Sequence, residues 1–186
     1  AGIVNSYERA RASGRRNMNA MSLATVNADG LPSLRTVLFK VIDNRGLLFF
    51  TDQRSRKGQD LATNPRACAC IYWEPIEEQV RLDGRVEQAD PATIAEDFRG
   101  RPRAAQVLIH SSTQSATLPR GLTELRERAS EKEAQLPEDV PVPAHWQGYW
   151  LVPDYIETWA GSRDRLHART AYSYTVPDWS MVALQP

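Results

Sequence analysis

From Met21 onward, apolar and polar residues alternate in short runs bounded by turn formers, the period-two signature of half-buried strands. Ser22 to Asn27 reads as a first strand, Ala28-Asp29-Gly30 as a turn, and Ser33 to Ile42 as a longer strand. Asp43-Asn44-Arg45-Gly46 then turns the chain into a third strand, Leu47 to Thr51, so the pattern is an antiparallel meander. Ala67 to Trp73 and Gln79 to Gln88 add two more. Five strands before residue 90 predict a barrel or a sandwich.

Helical signals interrupt this pattern at defined places. Ser55 is an N-cap for a short helix through Thr63, which Asn64-Pro65 ends. Asp90-Pro91 supplies a cap and a first-position proline, with Ile94 and Phe98 one turn apart on the apolar side, and the helix stops near Gly100-Arg101-Pro102. A charged helix is expected from Leu122 to Ala134. The prolines between Leu136 and Pro143 force an extended connector. Final strands are expected near Gly148 to Val152, Tyr155 to Trp159, Arg169 to Tyr174 and Ser180 to Leu184. The expected organisation is one domain, 1–186: an amino-terminal helical segment over 1–20, barrel strands over 21–88, a helical insert over 90–134 and carboxy-terminal strands over 147–186.

Composition narrows the function classes. Across 186 residues, 23 basic and 23 acidic residues cancel, which argues against the basic footprint of a nucleic-acid binder. No run of 18 apolar residues occurs, and Ala1 to Arg9 lacks the apolar centre of a secretion signal, so no membrane role is expected and the expected location is cytoplasmic. Cys68 and Cys70 share one face of a strand too closely spaced for a disulfide, and are expected to be small buried hydrophobes. His110, His145 and His167 are scattered without ligand spacing, so no metal site is expected.

Three cationic segments remain, and each asks for an anion. Trp159-Ala160-Gly161-Ser162-Arg163-Asp164-Arg165-Leu166-His167-Ala168-Arg169, if it continues as a strand, aims Arg165, His167 and Arg169 the same way. Ser55-Arg56-Lys57 places a hydroxyl, backbone N–H groups and two cations at a helix start, where the helix dipole favours negative charge; taken alone, a solvated basic helix start is the simpler reading. Arg35 and Lys40 bracket Val37-Leu38-Phe39 in a strand expected to be substantially buried, where an uncompensated charge is costly. Five residues apart, they face opposite ways and serve different groups unless a bulge intervenes. Together these segments suggest a phosphorylated cofactor.

The blocks Arg35-Thr36-Val37-Leu38-Phe39-Lys40, Phe50-Thr51, Ser55-Arg56-Lys57, Glu78-Gln79-Val80, Arg101-Pro102-Arg103, Gln114-Ser115, and Trp159 with Arg165-Leu166-His167-Ala168-Arg169 together resemble the pyridoxamine 5'-phosphate oxidase family, in its order and spacing. The resemblance implies a mainly β split barrel with flanking helices that binds FMN at a homodimer interface. It assigns FMN contacts to Arg35, Thr36, Val37, Leu38, Lys40, Phe50, Thr51, Arg56, Lys57, Gln79, Gln114, Ser115, Trp159 and Arg169, and Ser55, whose hydroxyl lies at the same helix start, joins this expected cofactor-binding set. Arg165 and His167 match substrate-contacting residues beside the flavin and are the expected catalytic pair. The implied reaction takes a hydride from an amine- or alcohol-bearing carbon of pyridoxamine or pyridoxine 5'-phosphate to FMN, then to O2, giving hydrogen peroxide.

The match departs from the family at the substrate phosphate. Where the family uses a lysine, a tyrosine, an arginine and a serine, this chain has Lys40, Asp97, Arg101 and Ala105. Asp97 sets a carboxylate beside a phosphate dianion, a repulsive contact unless Arg101 neutralises it. The altered contacts therefore leave an alternative open: an oxidase of a different reduced nitrogen heterocycle, as in phenazine biosynthesis. A non-catalytic flavin-binding protein is the third reading.

Overall fold

The computed structural model describes residues 2–186. After a first helix, α1 (Gly2–Ala12), the chain forms β1 (Ala20–Val26), β2 (Pro32–Ile42) and β3 (Leu47–Asp52), then α2 (Arg56–Thr63), β4 (Arg66–Trp73) and β5 (Glu78–Gln88). Three helices follow, α3 (Pro91–Arg99), α4 (Arg103–Ser111) and α5 (Leu122–Gln135), before β6 (Trp146–Ala160), β7 (Ala168–Thr175) and β8 (Asp178–Leu184). The strands lie in the order β3-β2-β1-β4-β5-β6-β7-β8, and an additional β3–β6 pairing closes the first six into a barrel. Every pairing is antiparallel. Among the described residues, no helix is long and apolar enough to cross a membrane.

Alternation decides what fills the barrel. Met21, Leu23 and Thr25 of β1 and Ala67, Ala69, Ile71 and Trp73 of β4 point inward and are almost fully buried. β3 is buried on both sides: Leu47 and Phe49 enter the barrel core, while Leu48 joins a second cluster with Ile94 and Phe98 of α3, Trp146 and Trp150 of β6, and Val140. That second cluster explains the proline-rich connector, which lays Val140 against the helices at 3% exposure. Burying Phe98 completely contributes roughly 1.5–3 kcal/mol and pins α3 to the outer face of the barrel.

Several expectations need correction. β6 is one strand of 15 residues, not two: Asp83 pairs with Tyr155 and Gly84 with Pro153, leaving Asp154 as an extra residue in a bulge, the irregular position at which a strand accommodates a proline. A Cβ on Gly84 would lie 2.1 Å from the Val152 carbonyl oxygen, so only glycine fits there. The helical part of the amino-terminal segment ends at Ala12. β2 is half exposed rather than substantially buried: Leu34, Thr36, Leu38 and Lys40 face outward. Cys68 is exposed and Cys70 partly so, because their face of β4 points away from the barrel core. α4 falls inside the helical insert where no separate helix was expected.

Candidate functional site

The first turn of α2 is built to turn a lysine inward. Ser55, fully buried, caps the helix by accepting the Gly58 N–H at 3.2 Å, and Gly58 has no room for a side chain because a Cβ would lie 2.3 Å from the Gln53 carbonyl oxygen. The 52–55 loop thus packs onto the helix start, and Lys57 is left 7% exposed rather than solvated. Its ammonium donates to Thr51 Oγ1 (3.0 Å), Gln114 Oε1 (2.8 Å) and Ser55 Oγ (3.3 Å), all neutral oxygens. The nearby carboxylates are engaged elsewhere, Asp52 with Arg54 and Asp60 with Arg35. Burial, reinforced by the charge of Arg35 and opposed by Asp52, lowers Lys57 from 10.5 to about 8. A desolvated ammonium without a paired carboxylate, at a helix N-terminus, fits an added anion.

Arg35 reaches the same region from β2. Its guanidinium donates to Thr25 Oγ1 (2.6 Å) and Ser33 Oγ (2.7 Å) and lies 3.7 Å from Asp60. Burial lowers its pKa, against the pull of Asp60 and with the push of Arg56. Arg56 is exposed, and its N–H donates to Ser115 Oγ at 3.3 Å. Ser115 holds a φ of 74°, the left-handed region that an L side chain rarely adopts without support from its surroundings. Arg35, Thr51, Ser55, Arg56, Lys57, Gln114 and Ser115 therefore converge. Phe50 is half buried beside them, while Thr36 and Leu38 look outward and Val37 packs on the barrel core.

One strand pair away lies a second cluster. Asp52, next to Thr51, pairs with Trp146 across β3 and β6, and Trp146 Nε1–H donates to Asp97 Oδ2 at 3.3 Å. Arg101 Nε donates to the same oxygen at 2.8 Å while its guanidinium stacks 4.5 Å above the Trp146 ring. Lys40 Nζ sits 3.7 Å from Asp97 Oδ1. Lys40 thus does face away from Arg35 and serves a different group. Ala105, on α4, is half buried.

The remaining candidates form a separate group on β5, β6 and β7. Gln79 pairs with Trp159, and Trp159 with Arg169. Arg169 donates to Glu157 through Nε (3.1 Å) and Nη2 (2.8 Å) and to the Gln185 carbonyl through Nη1 (2.9 Å). The stretch from Trp159 to Arg169 is not a continuous strand. β6 ends at Ala160 and β7 starts at Ala168, and between them Arg165 N–H donates to the Ser162 carbonyl and Leu166 N–H to Asp164 Oδ1. Arg165 sits at φ 66°, exposed, and does not share a strand face with His167 and Arg169. His167 folds back so that its ring centroid lies 4.8 Å from that of Trp159, and Ser162 N–H donates to its Nδ1 at 3.1 Å. An N–H can donate only to a bare ring nitrogen, so in the neutral ring the proton is on Nε2.

The two groups occupy opposite walls. In the ring β3-β2-β1-β4-β5-β6, β2 and β5 are diametrically placed, and Trp159 lies twelve positions along β6 from Gln147, the partner of Thr51. A cavity of about 790 Å³ opens between α1, the β2–β3 turn and β5–β8, with Gln79 and Trp159 among its lining residues but neither Lys57 nor Asp97.

Residues 9–133 match the family described as pyridoxamine 5'-phosphate oxidase, and residues 146–186 match the pyridoxine 5'-phosphate oxidase C-terminal dimerisation region. The chain belongs to the pyridoxamine 5'-phosphate oxidase family. A pyridoxine/pyridoxamine 5'-phosphate oxidase of Cupriavidus necator is 46% identical over 169 residues, covering 90% of this chain and 79% of that protein. A protein of the same name from Anaeromyxobacter dehalogenans is 44% identical over 96% of this chain and 90% of its own. Among solved structures, PhzG from Burkholderia lata, in complex with tetrahydrophenazine-1-carboxylic acid, superposes with a TM-score of 0.92 at 32% identity, covering 99% of this chain and 90% of that one. An FMN-binding protein of Nostoc punctiforme shares the fold, with a TM-score of 0.80 at 21% identity over 100% of this chain and 96% of its own.

The pyridoxamine 5'-phosphate oxidase fold, a split barrel with added strands, thus carries both residue groups. Sequence reasoning passed over the residues that hold them in place. Asp52 accepts from Arg54 and from the Gln114 N–H, and Arg54 also donates to the Ser112 carbonyl, tying the 112–115 segment to the end of β3 and the loop that leads into α2. The signal was present in Asp52-Gln53-Arg54, a carboxylate and a guanidinium two apart between two recognised blocks. Trp146 and Glu157 gave no such signal, because their partners are distant in sequence.

Proposed function

We propose that the protein is an FMN-dependent oxidase acting on a small ring compound, and the observation that carries this is Lys57, a buried ammonium surrounded by neutral oxygens at the capped start of α2. Arg35, Ser55, Arg56 and Lys57 hold the cofactor phosphate, and Thr51, Gln114 and Ser115 supply polar contacts along its edge. When bound, FMN accepts a hydride from a substrate carbon and delivers the electrons to dioxygen as hydrogen peroxide. Gln79, Trp159 and Arg169 sit on the opposite wall of the same chain, so they complete the site of a second copy. The exposed β8, with Trp179, Met181 and Val182 open to solvent, and the match of 146–186 to a dimerisation region support a homodimer. Arg165 and His167 orient the substrate, His167 through the Nε2 proton that its Ser162 contact leaves free.

The names of the relatives support pyridoxamine or pyridoxine 5'-phosphate as substrate. One observation favours a different reduced nitrogen heterocycle instead: Asp97 binds both cations of the expected phosphate site. The test is to load the purified protein with FMN and mix it anaerobically with pyridoxamine 5'-phosphate or with a dihydro-heterocycle. Flavin bleaching reversed by air identifies the substrate. Failure to retain FMN sinks the proposal, and retention without bleaching by any amine or dihydro-heterocycle leaves only the non-catalytic reading.

A further inference from the structure

We infer that Asp97 sets the charge of the substrate pocket, so that it takes a ring compound bearing one carboxylate in preference to one bearing a phosphate dianion. This rests on the reading of the Lys40–Arg101 cluster as the substrate's anion site.

Lys40, Arg101 and Asp97 sum to a single positive charge, and the carboxylate that trims it is no bystander. The Asp97 side chain is 8% exposed and receives Arg101 Nε at 2.8 Å and Trp146 Nε1 at 3.3 Å on one oxygen, with Lys40 Nζ at 3.7 Å from the other. Its backbone is anchored by the adjacent Phe98, fully buried in the second core cluster, and its side chain by the Trp146 and Arg101 hydrogen bonds, so moving it aside for an anion with two charges means breaking both. A dianion would face a net charge of one and a fixed carboxylate beside it, whereas a monoanion is matched.

Arg101 shows the shape of the acceptor as well as its charge. Its Nε is committed to Asp97 and its face to Trp146, yet among the described residues neither Nη1 nor Nη2 makes a hydrogen bond. Two parallel N–H groups at the end of a stacked guanidinium match the two oxygens of a planar carboxylate. Lys40, its side chain 49% exposed, supplies a point charge at the rim. Ala105 offers no hydroxyl to satisfy a third phosphate oxygen.

The experiment uses the FMN-loaded protein and two probes, phenazine-1-carboxylate and pyridoxal 5'-phosphate, with affinities read from flavin and tryptophan fluorescence. The wild type is expected to bind the carboxylate probe about tenfold more tightly or better, and Asp97→Asn, nearly isosteric, to tighten the phosphate probe about tenfold while changing the carboxylate probe little. Arg101→Lys is the second variant: it keeps the charge but removes the fork, and should weaken the carboxylate probe more than the phosphate probe. Tight phosphate binding by the wild type with no gain in Asp97→Asn overturns the inference. If the protein retains FMN in that case, the oxidase reading stands and only the charge selection falls; if FMN is not retained, it is the oxidase reading that fails.

Discussion

The ammonium of Lys57 lies 2.8 Å from the side-chain oxygen of Gln114, joining the first turn of α2 to the segment that follows α4. Burial beside Arg35, with only neutral oxygens as acceptors, makes the Lys57 ammonium costly in the absence of an anion. Lys57→Met is therefore expected to stabilise the cofactor-free protein by about 1–2 kcal/mol, below the ceiling set by a pKa moved from 10.5 to about 8, and to abolish FMN retention. The sign is testable by pH. Because the folded pKa is the lower one, the unfolded chain holds the extra proton between about 8 and 10.5, so wild-type stability should gain from raising pH through that window, and the gain should vanish in the variant. Denaturant melts at several pH values measure both.

Gly58 gives a second expectation. An added methyl group meets the Gln53 backbone at 2.3 Å, and relief requires the 52–55 loop to move off the helix. Gly58→Ala should destabilise by about 1–3 kcal/mol and lower FMN affinity even though the nearest atoms to the new methyl are those of the Gln53 backbone. Unchanged affinity, with stability lost, would show that the loop does not position Lys57.

Glu157 is buried and shared by Arg169, Arg81 and the Tyr155 hydroxyl. Burial pushes its carboxyl up, but the Arg169 hydrogen bonds and the two guanidinium charges outweigh it and hold the pKa below 4.5. Its contribution to stability is thus present above pH 4.5 and lost as pH falls toward the folded pKa. Glu157→Gln should cost about 1–3 kcal/mol at neutral pH, and its melts should show a shallower acid limb than the wild type's.

For His167, the donor left by the Ser162 contact is Nε2. His167→Asn can keep the acceptor at the Nδ1 position while removing that donor. Turnover should drop about ten- to a hundredfold with FMN content unchanged. Loss of FMN along with turnover would instead place His167 among the groups that hold the cofactor.

The strands were legible because alternation is local, and so were the Ser55 and Asp90 caps, each read from a side chain and the helix directly after it. α4 was not, because its N-cap is Pro102, which offers no side-chain hydrogen bond, and the Gly100-Arg101-Pro102 stretch before it signals a break. The bend at Arg165 was written in Ser162 and Asp164, whose side chains bond one another and turn the backbone, but a row of cations at alternating positions masked it. Least legible were the pairings that decide the site's charge. Lys40 with Asp97 and Lys57 with Gln114 depend on how α3 and the segment after α4 dock on the barrel, which no local pattern encodes.

The placement of the two residue groups on opposite walls has a genetic consequence. If each site takes Lys57 from one copy and His167 from the other, a mixed dimer of Lys57→Met and His167→Asn subunits concentrates both defects in one site and leaves the other whole. Two impaired alleles expressed together should then give flavin-dependent turnover well above that of either alone, and coexpression with separable tags followed by assay of the doubly tagged species would reveal it.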